Sequence, residues 1–277
     1  MKRKFNFVNI SILAVLLVFA YSWYYVVEVD GVSFSELFSE KNLEHSRKFI
    51  DGLMGIGEEL PAFRDPESIK NVASLTYETL MMSILSIAIA SVGMLMTVVY
   101  GARNISDGTL LKQRHWYAKP LFFAIRLLYI VTRAVPELIW AMIVVFIFKP
   151  GIIPGAIALA VHNFGIVGKL CSEVIENIEK GPVKSLYSSG ASNSQMLIYG
   201  VFPMVLPKFM TYIVYRWEVI IRSTLVVGFI GAGGLGRQFK LSMSYFNYSE
   251  ITLIMAAYLL LVFMADMLSR LFRNLSS

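Results

Sequence analysis

The chain has 277 residues, 56% of them hydrophobic and only 16% charged, where a water-soluble domain carries about 25% charged residues. Its apolar residues gather in blocks of about 20, the length that crosses ~30 Å of hydrocarbon, so an integral membrane protein is expected and a soluble enzyme domain is excluded. The net charge of +6 fits basic flanks beside apolar spans and not a nucleic-acid partner, since no basic patch with interleaved aromatics stands clear of the spans. A single cysteine, Cys171, and three scattered histidines, His45, His115 and His162, exclude an internal disulfide and a multi-cysteine or histidine metal centre.

Three basic residues in Met1–Lys4 precede an apolar run from about Phe5 to Val27. The run is too long for a signal-peptide core and lacks a small-x-small cleavage site, so it is expected as span 1 with a cytoplasmic N-terminus. Trp23-Tyr24-Tyr25 would anchor its outer end. Residues 28–75 hold ten acids and five bases, as an outer loop would. In that loop Leu37, Leu43, Phe49 and Ile50 suggest short amphipathic helices, and Glu67–Thr79 a helix leading onward. Span 2 is expected at about Thr79–Val99, with small residues that admit a close neighbour.

The loop Gly101–Lys119 carries Arg103, Lys112, Arg114 and Lys119 against Asp107, which places it in the cytoplasm. Residues 120–148 exceed one span, and Pro136-Glu137 reads as a helix start. Leu121–Arg133 is therefore expected as an amphipathic helix lying at the inner interface, and Pro136–Phe148 as the body of span 3. Span 4 follows at about Ile152–Leu170, with His162 and Asn163 midway. Span 5 is expected at about Lys208–Phe229, and span 6 at about Ile251–Ser269. Arg270 and Arg273 put the C-terminus inside. Arg237 and Lys240, on the outer side, depart mildly from the positive-inside rule.

Gly231-x-Gly233-x-x-Gly236 matches the dinucleotide fingerprint in letters only. A membrane span, not a strand, precedes it, and no ribose-binding acid follows at the right distance. A glycine-rich hinge or re-entrant segment, with unwound backbone lining a cavity, is the better reading. There is no G-x-x-x-x-G-K-[ST], H-E-x-x-H or G-x-S-x-G pattern, so neither P-loop ATP binding nor those hydrolytic chemistries are available. Charges inside spans cost about 2.5–3.5 kcal/mol each at a helix centre and so mark function. Glu218 and Arg222, and Arg133 and Glu137, are each four apart. Self-neutralising pairs and a solute pathway both remain open. Arg216 and Arg222 are not so spaced, which leaves one cation to attract an anion. His162 reads as a hydrogen-bonded packing residue.

Between spans 4 and 5, Gly181-Pro182 and Gly190 bracket one short helix. Ser192-x-x-Gln195 is a capping box that starts a second, which Gly200 to Pro203 would close. This cytoplasmic helix–turn–helix carries Leu186, Tyr187, Met196, Leu197, Ile198 and Tyr199, which need something to bury them.

GASNSQMLIYGVFP resembles the cytoplasmic loop signature of ABC importer permeases. Gly190 takes the glycine place and Phe202-Pro203 the closing pair, while Lys184-Ser185-Leu186 stands where that pattern has E-A-A. Arg133–Ala141 (RAVPELIWA), His162–Lys169 (HNFGIVGK), Tyr215–Glu218 with Ile221-Arg222, and Gly231–Gly236 resemble segments of phosphonate permeases. The resemblance covers about residues 120–270, and residues 1–75 share only the general layout of a membrane anchor and periplasmic loop. It implies an all-α type I importer fold of the methionine-permease kind, with about six transmembrane helices and a permease domain at 76–277. It also implies a homodimer in the bacterial inner membrane with both termini cytoplasmic, two cytosolic ATPase subunits that hold ATP and magnesium, and a periplasmic binding protein. Within the loop 171–207, Lys184, Ser185, Leu186, Gly190, Ala191, Ser192, Gln195 and Pro203 would engage the ATPase. Phosphonate or phosphite would pass near spans 3, 4 and 5, among Arg133, Glu137, His162, Arg216, Glu218, Arg222 and the backbone of Gly231, Gly233, Gly234 and Gly236. Another solute such as an amino acid is the alternative within the fold, and a membrane-embedded enzyme the alternative outside it.

Overall fold

The computed structural model describes residues 7–29, 38–111 and 116–276. Among them the structure is helical with no strand, and the chain divides into two compact units, Met1–Gly52 and Leu53–Ser277. The expectations that rested on Met1–Lys4, Leu37, Lys112, Arg114 and His115 lie outside the described residues.

In the first unit, α1 (Phe7–Tyr24) runs into a π turn at Tyr25–Val29, as the apolar run predicts. The amphipathic α2 (Glu40–Leu53) carries an ion pair between Lys48 and Glu44, four residues apart.

The second unit begins with a clamp. Ser249 Oγ accepts from the Ala62 N–H and donates to Glu58, and Thr252 Oγ1 donates to the Leu53 carbonyl. Asp65 then caps α3 (Pro66–Gly101), its carboxylate accepting from the Glu67 and Ser68 N–H groups while Pro66 fills the first turn. The lead-in helix expected before span 2 is thus the first part of one 36-residue helix, and the boundary drawn at residue 75 falls inside it.

Beyond the short α4 (Arg103–Ser106), α5 (Ala118–Ala134) and α6 (Glu137–Phe148) meet at a 92° bend. The break sits where proline and its predecessor should put it. The expected placement of the first half does not hold. Along α7 (Ile152–Glu176), Tyr129 packs at Gly168, Thr132 at Gly165, and the Val135 carbonyl meets His162. Each step up α5 is a step back along α7, so α5 lies antiparallel to α7 and packs along it. It does not lie flat on the interface. Gly165 and Gly168 are the reason, because a Cβ at either would come within 2.2 or 2.3 Å of α5.

α8 (Lys180–Ser188) follows, then α9 (Asn193–Gln195), a π segment at Met196–Val201, and α10 (Phe202–Val227). The expected stop at Gly200–Pro203 is absent. The Phe202 N–H reaches the Leu197 carbonyl five residues back, and this wide turn admits Pro203, which has no N–H to place. Helical structure therefore continues from Asn193 up to the kink at Gly231. α11 (Gly234–Ser244) and α12 (Tyr248–Ser276) complete the chain. Among the described residues five helices are long and apolar enough to cross a membrane, and the bent α5–α6 pair makes six when counted as one span. α3 and α7 share the most extensive contact, around a core that includes Met82, Met94, Leu159, Val167, Phe209 and Ile220.

Candidate functional site

Two separated regions collect the residues singled out by sequence. The first is the joint between α8 and α9. Val183 is buried and Leu186 partly so, and both rest on Gly200, where a Cβ would meet Leu186 Cδ1 at 3.0 Å. α8 ends in a Schellman closure, with the Gly190 N–H donating to the Tyr187 carbonyl (3.0 Å) and the Ala191 N–H to the Leu186 carbonyl (3.1 Å). Gly190 adopts φ +84°, which costs glycine little and other residues about 1–2 kcal/mol. One residue after Ala191 the capping box forms as expected. The Ser192 N–H donates to Gln195 Oε1 (2.8 Å) and the Gln195 N–H to Ser192 Oγ (3.4 Å). The turn is closed from both sides while Lys184, Ser185, Tyr187, Ser188 and Gln195 stay exposed. Lys184, Tyr187 and Ser188 face residues 108–111 across a recess of about 340 Å³. Pro203 lies beyond the joint, in the first turn of α10.

The second region is the α5–α6 break. Helix α5 ends inside the molecule, so its last carbonyls need donors. Trp140 Nε1 donates to the Thr132 carbonyl (3.0 Å), and His162 Nδ1 lies 3.0 Å from the Val135 carbonyl, the packing role expected of His162. Beside it, Asn163 is fully buried. Its Nδ2 donates to the Leu159 carbonyl (2.7 Å), and its Oδ1 accepts both Nε (3.0 Å) and Nη2 (2.6 Å) of Arg216. Glu137, at the start of α6, lies within electrostatic reach of Arg216 but forms no ion pair with it or with Arg133 among the described residues. Of the two readings left open for Arg133 and Glu137, the self-neutralising pair is therefore not made, because the bend separates them. Arg133 is exposed and Glu137 and Arg216 are half-buried.

Glu218 and Arg222 face elsewhere. Glu218 is 6% exposed and takes Arg222 from its own helix and Arg273 from α12 (3.5 Å). The four-residue pair, one of the two readings left open, is present. The second cation was not legible, because Arg273 is 55 residues away in sequence and reads there only as a cytoplasmic flank. The candidate pathway charges thus divide between two sides of α10.

The glycine-rich segment is a corner. Gly231 (φ +111°), Gly233 (+87°) and Gly234 (+63°) turn the chain between α10 and α11. Gly228 and Gly236 touch back to back, where a Cβ on Gly236 would lie 2.2 Å from the Leu225 carbonyl oxygen. Thr79 Oγ1 accepts from the Leu235 N–H (2.9 Å), satisfying a donor in the first turn of α11. Gly233, Gly234 and Gly236 are buried in helix packing and do not line an open passage as expected. Gly231 rests against Pro150. Sequence reasoning also missed the role of Glu176, which accepts from Arg126 and from the Arg103 N–H (2.7 Å) and so ties α5 to the C-terminal ends of α3 and α7.

Residues 108–276 match the family described as the binding-protein-dependent transport system inner membrane component. A phosphite transport system permease protein of Stutzerimonas stutzeri is 36% identical over 198 residues, spanning 71% of this chain and 68% of that protein. A putative cryptic phosphonate transport system permease protein of Escherichia coli (strain K12) is 37% identical over 118 residues, 43% of this chain and 97% of the other. An inward-facing structure of a methionine ABC transporter superposes with a TM-score of 0.65 at 16% identity, covering 77% of this chain and 99% of that one, a likeness of fold alone.

Proposed function

The chain belongs to the family of binding-protein-dependent transport system inner membrane components, and from that premise we propose that it is the permease subunit of an ATP-driven importer for phosphite or a phosphonate. The observation that carries the reading is the α8–α9 joint. A turn locked on both sides presents exposed polar residues, and its outgoing helix runs unbroken to Arg216 and the glycine corner. A cytosolic ATPase that grips α8 moves that helix as a lever. ATP and magnesium reside in the ATPase, and a periplasmic binding protein delivers the solute. The joint and both termini lie on the cytoplasmic side.

The face of the α5–α6 break supports a dimer. Arg133, Glu137 and Arg216 stand near mid-membrane with part of their surface uncovered, and each would cost about 2.5–3.5 kcal/mol against lipid. A second copy placed over this face removes that cost and encloses a polar path between the two chains. The names of the two relatives, together with cationic groups on that path, favour a phosphorus oxyanion as the solute. The test is purification with the partner ATPase. ATP hydrolysis in the reconstituted complex is expected to rise with binding protein loaded with phosphite or methylphosphonate, and not with an amino-acid-loaded one. A permease that recovers no ATPase after mild solubilisation would overturn the assignment.

A further inference from the structure

Arg216 differs from the ion-paired arginines Arg126, Arg222 and Arg273. Arg222 and Arg273 are held by Glu218, and Arg126 by Glu176. Arg216 has a neutral partner. Its Nε–H and one Nη2–H both converge on one amide oxygen, Asn163 Oδ1, and its other N–H groups have no hydrogen bond among the described residues. The Nε–Nη2 edge of a guanidinium fits two oxygens of a carboxylate or phosphate side by side. Here that edge is closed by one uncharged acceptor, which makes bonds about half as strong as a charged one would.

Asn163 is itself pinned. Its Nδ2 stays on the Leu159 carbonyl one turn back, so Oδ1 remains in place whether or not Arg216 is bound to it. Asn163 and Arg216 each lie about three turns from the ends of their helices at Ile152 and Val227, roughly 16 Å along the axis and near the middle of a membrane ~30 Å thick. Glu137 lies near enough to act on Arg216 through space but makes no direct bond to it, so the bidentate edge is held by Asn163 alone.

Resting on the phosphorus-oxyanion reading above, we propose that Arg216 is a mid-membrane way-station for the transported anion and that Asn163 is its displaceable latch. Two oxygens of the anion replace Asn163 Oδ1 on Nε–H and Nη2–H. When the anion leaves, the amide reclaims both donors, so the guanidinium is never bare in a low-dielectric site. No covalent bond changes and no proton needs to move. A carboxylate at position 163 would instead hold Arg216 permanently, as Glu218 holds Arg222. The latch therefore works because it is neutral.

The experiment is uptake of phosphite and of methylphosphonate into proteoliposomes by the complex of permease, ATPase and binding protein. Asn163→Asp nearly preserves size and is expected to lower uptake by about tenfold or more, since it converts the latch into a charged clamp. Asn163→Ser keeps a neutral acceptor and is expected to stay within about threefold of wild type. Arg216→Lys keeps the charge, loses the bidentate edge, and is expected to fall with Asn163→Asp. Each variant is first shown to co-purify with the ATPase, and should Arg216→Lys fail to assemble, the Asp and Ser variants at 163 decide alone. Wild-type uptake in Asn163→Asp, or equal losses in Asn163→Asp and Asn163→Ser, overturns the latch. A wild-type complex whose ATPase responds to its binding protein but which imports neither compound overturns the substrate reading instead, and the two failures are distinguishable.

Discussion

Gly190→Pro separates the α8–α9 joint, and the coupling role proposed for it, from the rest of the fold. Proline requires φ near −65°, against +84° at this position, and it removes the N–H that bonds the Tyr187 carbonyl. It also disfavours the conformation of the preceding Ser189 (φ −81°, ψ +4°). The turn cannot form, so the Gly190 and Ala191 hydrogen bonds are both lost, at about 1 kcal/mol each. With the backbone term, the cost to the docked joint is about 3–4 kcal/mol, or roughly a hundredfold to a thousandfold in its population. A Cβ at Gly190 meets nothing within 4 Å, so the effect is confined to the backbone of the turn and the spans are left alone. Gly190→Ala supplies the intermediate point, since only the φ term of about 1–2 kcal/mol applies. The assay compares ATP hydrolysis and solute uptake in the reconstituted complex, with detergent-solubilised melting as a check on the spans. Uptake per ATP should fall in the order glycine, alanine, proline, while the melting temperature changes little. A proline variant that transports with wild-type coupling would refute the reasoning.

Thr79→Val keeps the shape of a fully buried side chain but orphans the Leu235 N–H. It should cost about 1–3 kcal/mol, seen as a melting temperature several degrees lower, with Thr79→Ser recovering most of it. Gly165→Ala places a Cβ 2.2 Å from Thr132 Oγ1 and 2.7 Å from the Tyr129 carbonyl oxygen. Because the second contact is to backbone, the loss of about 1–3 kcal/mol should persist when Thr132→Ala is added, and full rescue by the double variant would disprove the close helix approach. Asp65, outside the spans, has its carboxyl held below the usual range, first by the Ser68 hydroxyl and then by the Ser68 and Glu67 N–H groups. A depressed folded pKa gives stability that is present above the unfolded pKa and lost as pH falls through the folded one. The melting difference between wild type and Asp65→Ala should therefore be constant near neutral pH and shrink only below about pH 4. A difference that peaks in acid would contradict the cap.

Local patterns in the sequence carried over where the physics is local. The Ser192–Gln195 capping box and the helix end at Gly190 each involve residues within one or two turns, and both are found as expected; the Glu218–Arg222 spacing, left open between a pair and a pathway role, is an ion pair. What failed was decided by distant partners. An amphipathic α5 looks the same whether it floats on an interface or packs across half a membrane, and Gly165 and Gly168 on another helix choose between the two. Gly200 and Pro203 carry the propensity of a helix stop, yet a wide turn absorbs the missing donor and α8 needs Gly200 for its seat. Asn163 as the partner of Arg216 has no local signature, since 53 residues separate them. The glycine-rich corner was recognised as irregular backbone, but the need for its small residues came from Thr79 and Leu225, which no spacing rule connects to it.

The helical course from Asn193 to the corner at Gly231 also sets the phase between its two ends. Each residue added or removed between the π segment and Arg216 would rotate everything downstream by about 100°. One inserted residue is enough to swing the guanidinium away from Asn163 while leaving hydropathy, charge and length almost unchanged. Insertions and deletions in this stretch should therefore be tolerated, if at all, only in groups that restore the rotation. Chimaeras that exchange the ATPase-facing segment should be spliced in the Gly190 turn and not inside the span. A graft made there changes the partner without altering the angle at which the pathway is addressed.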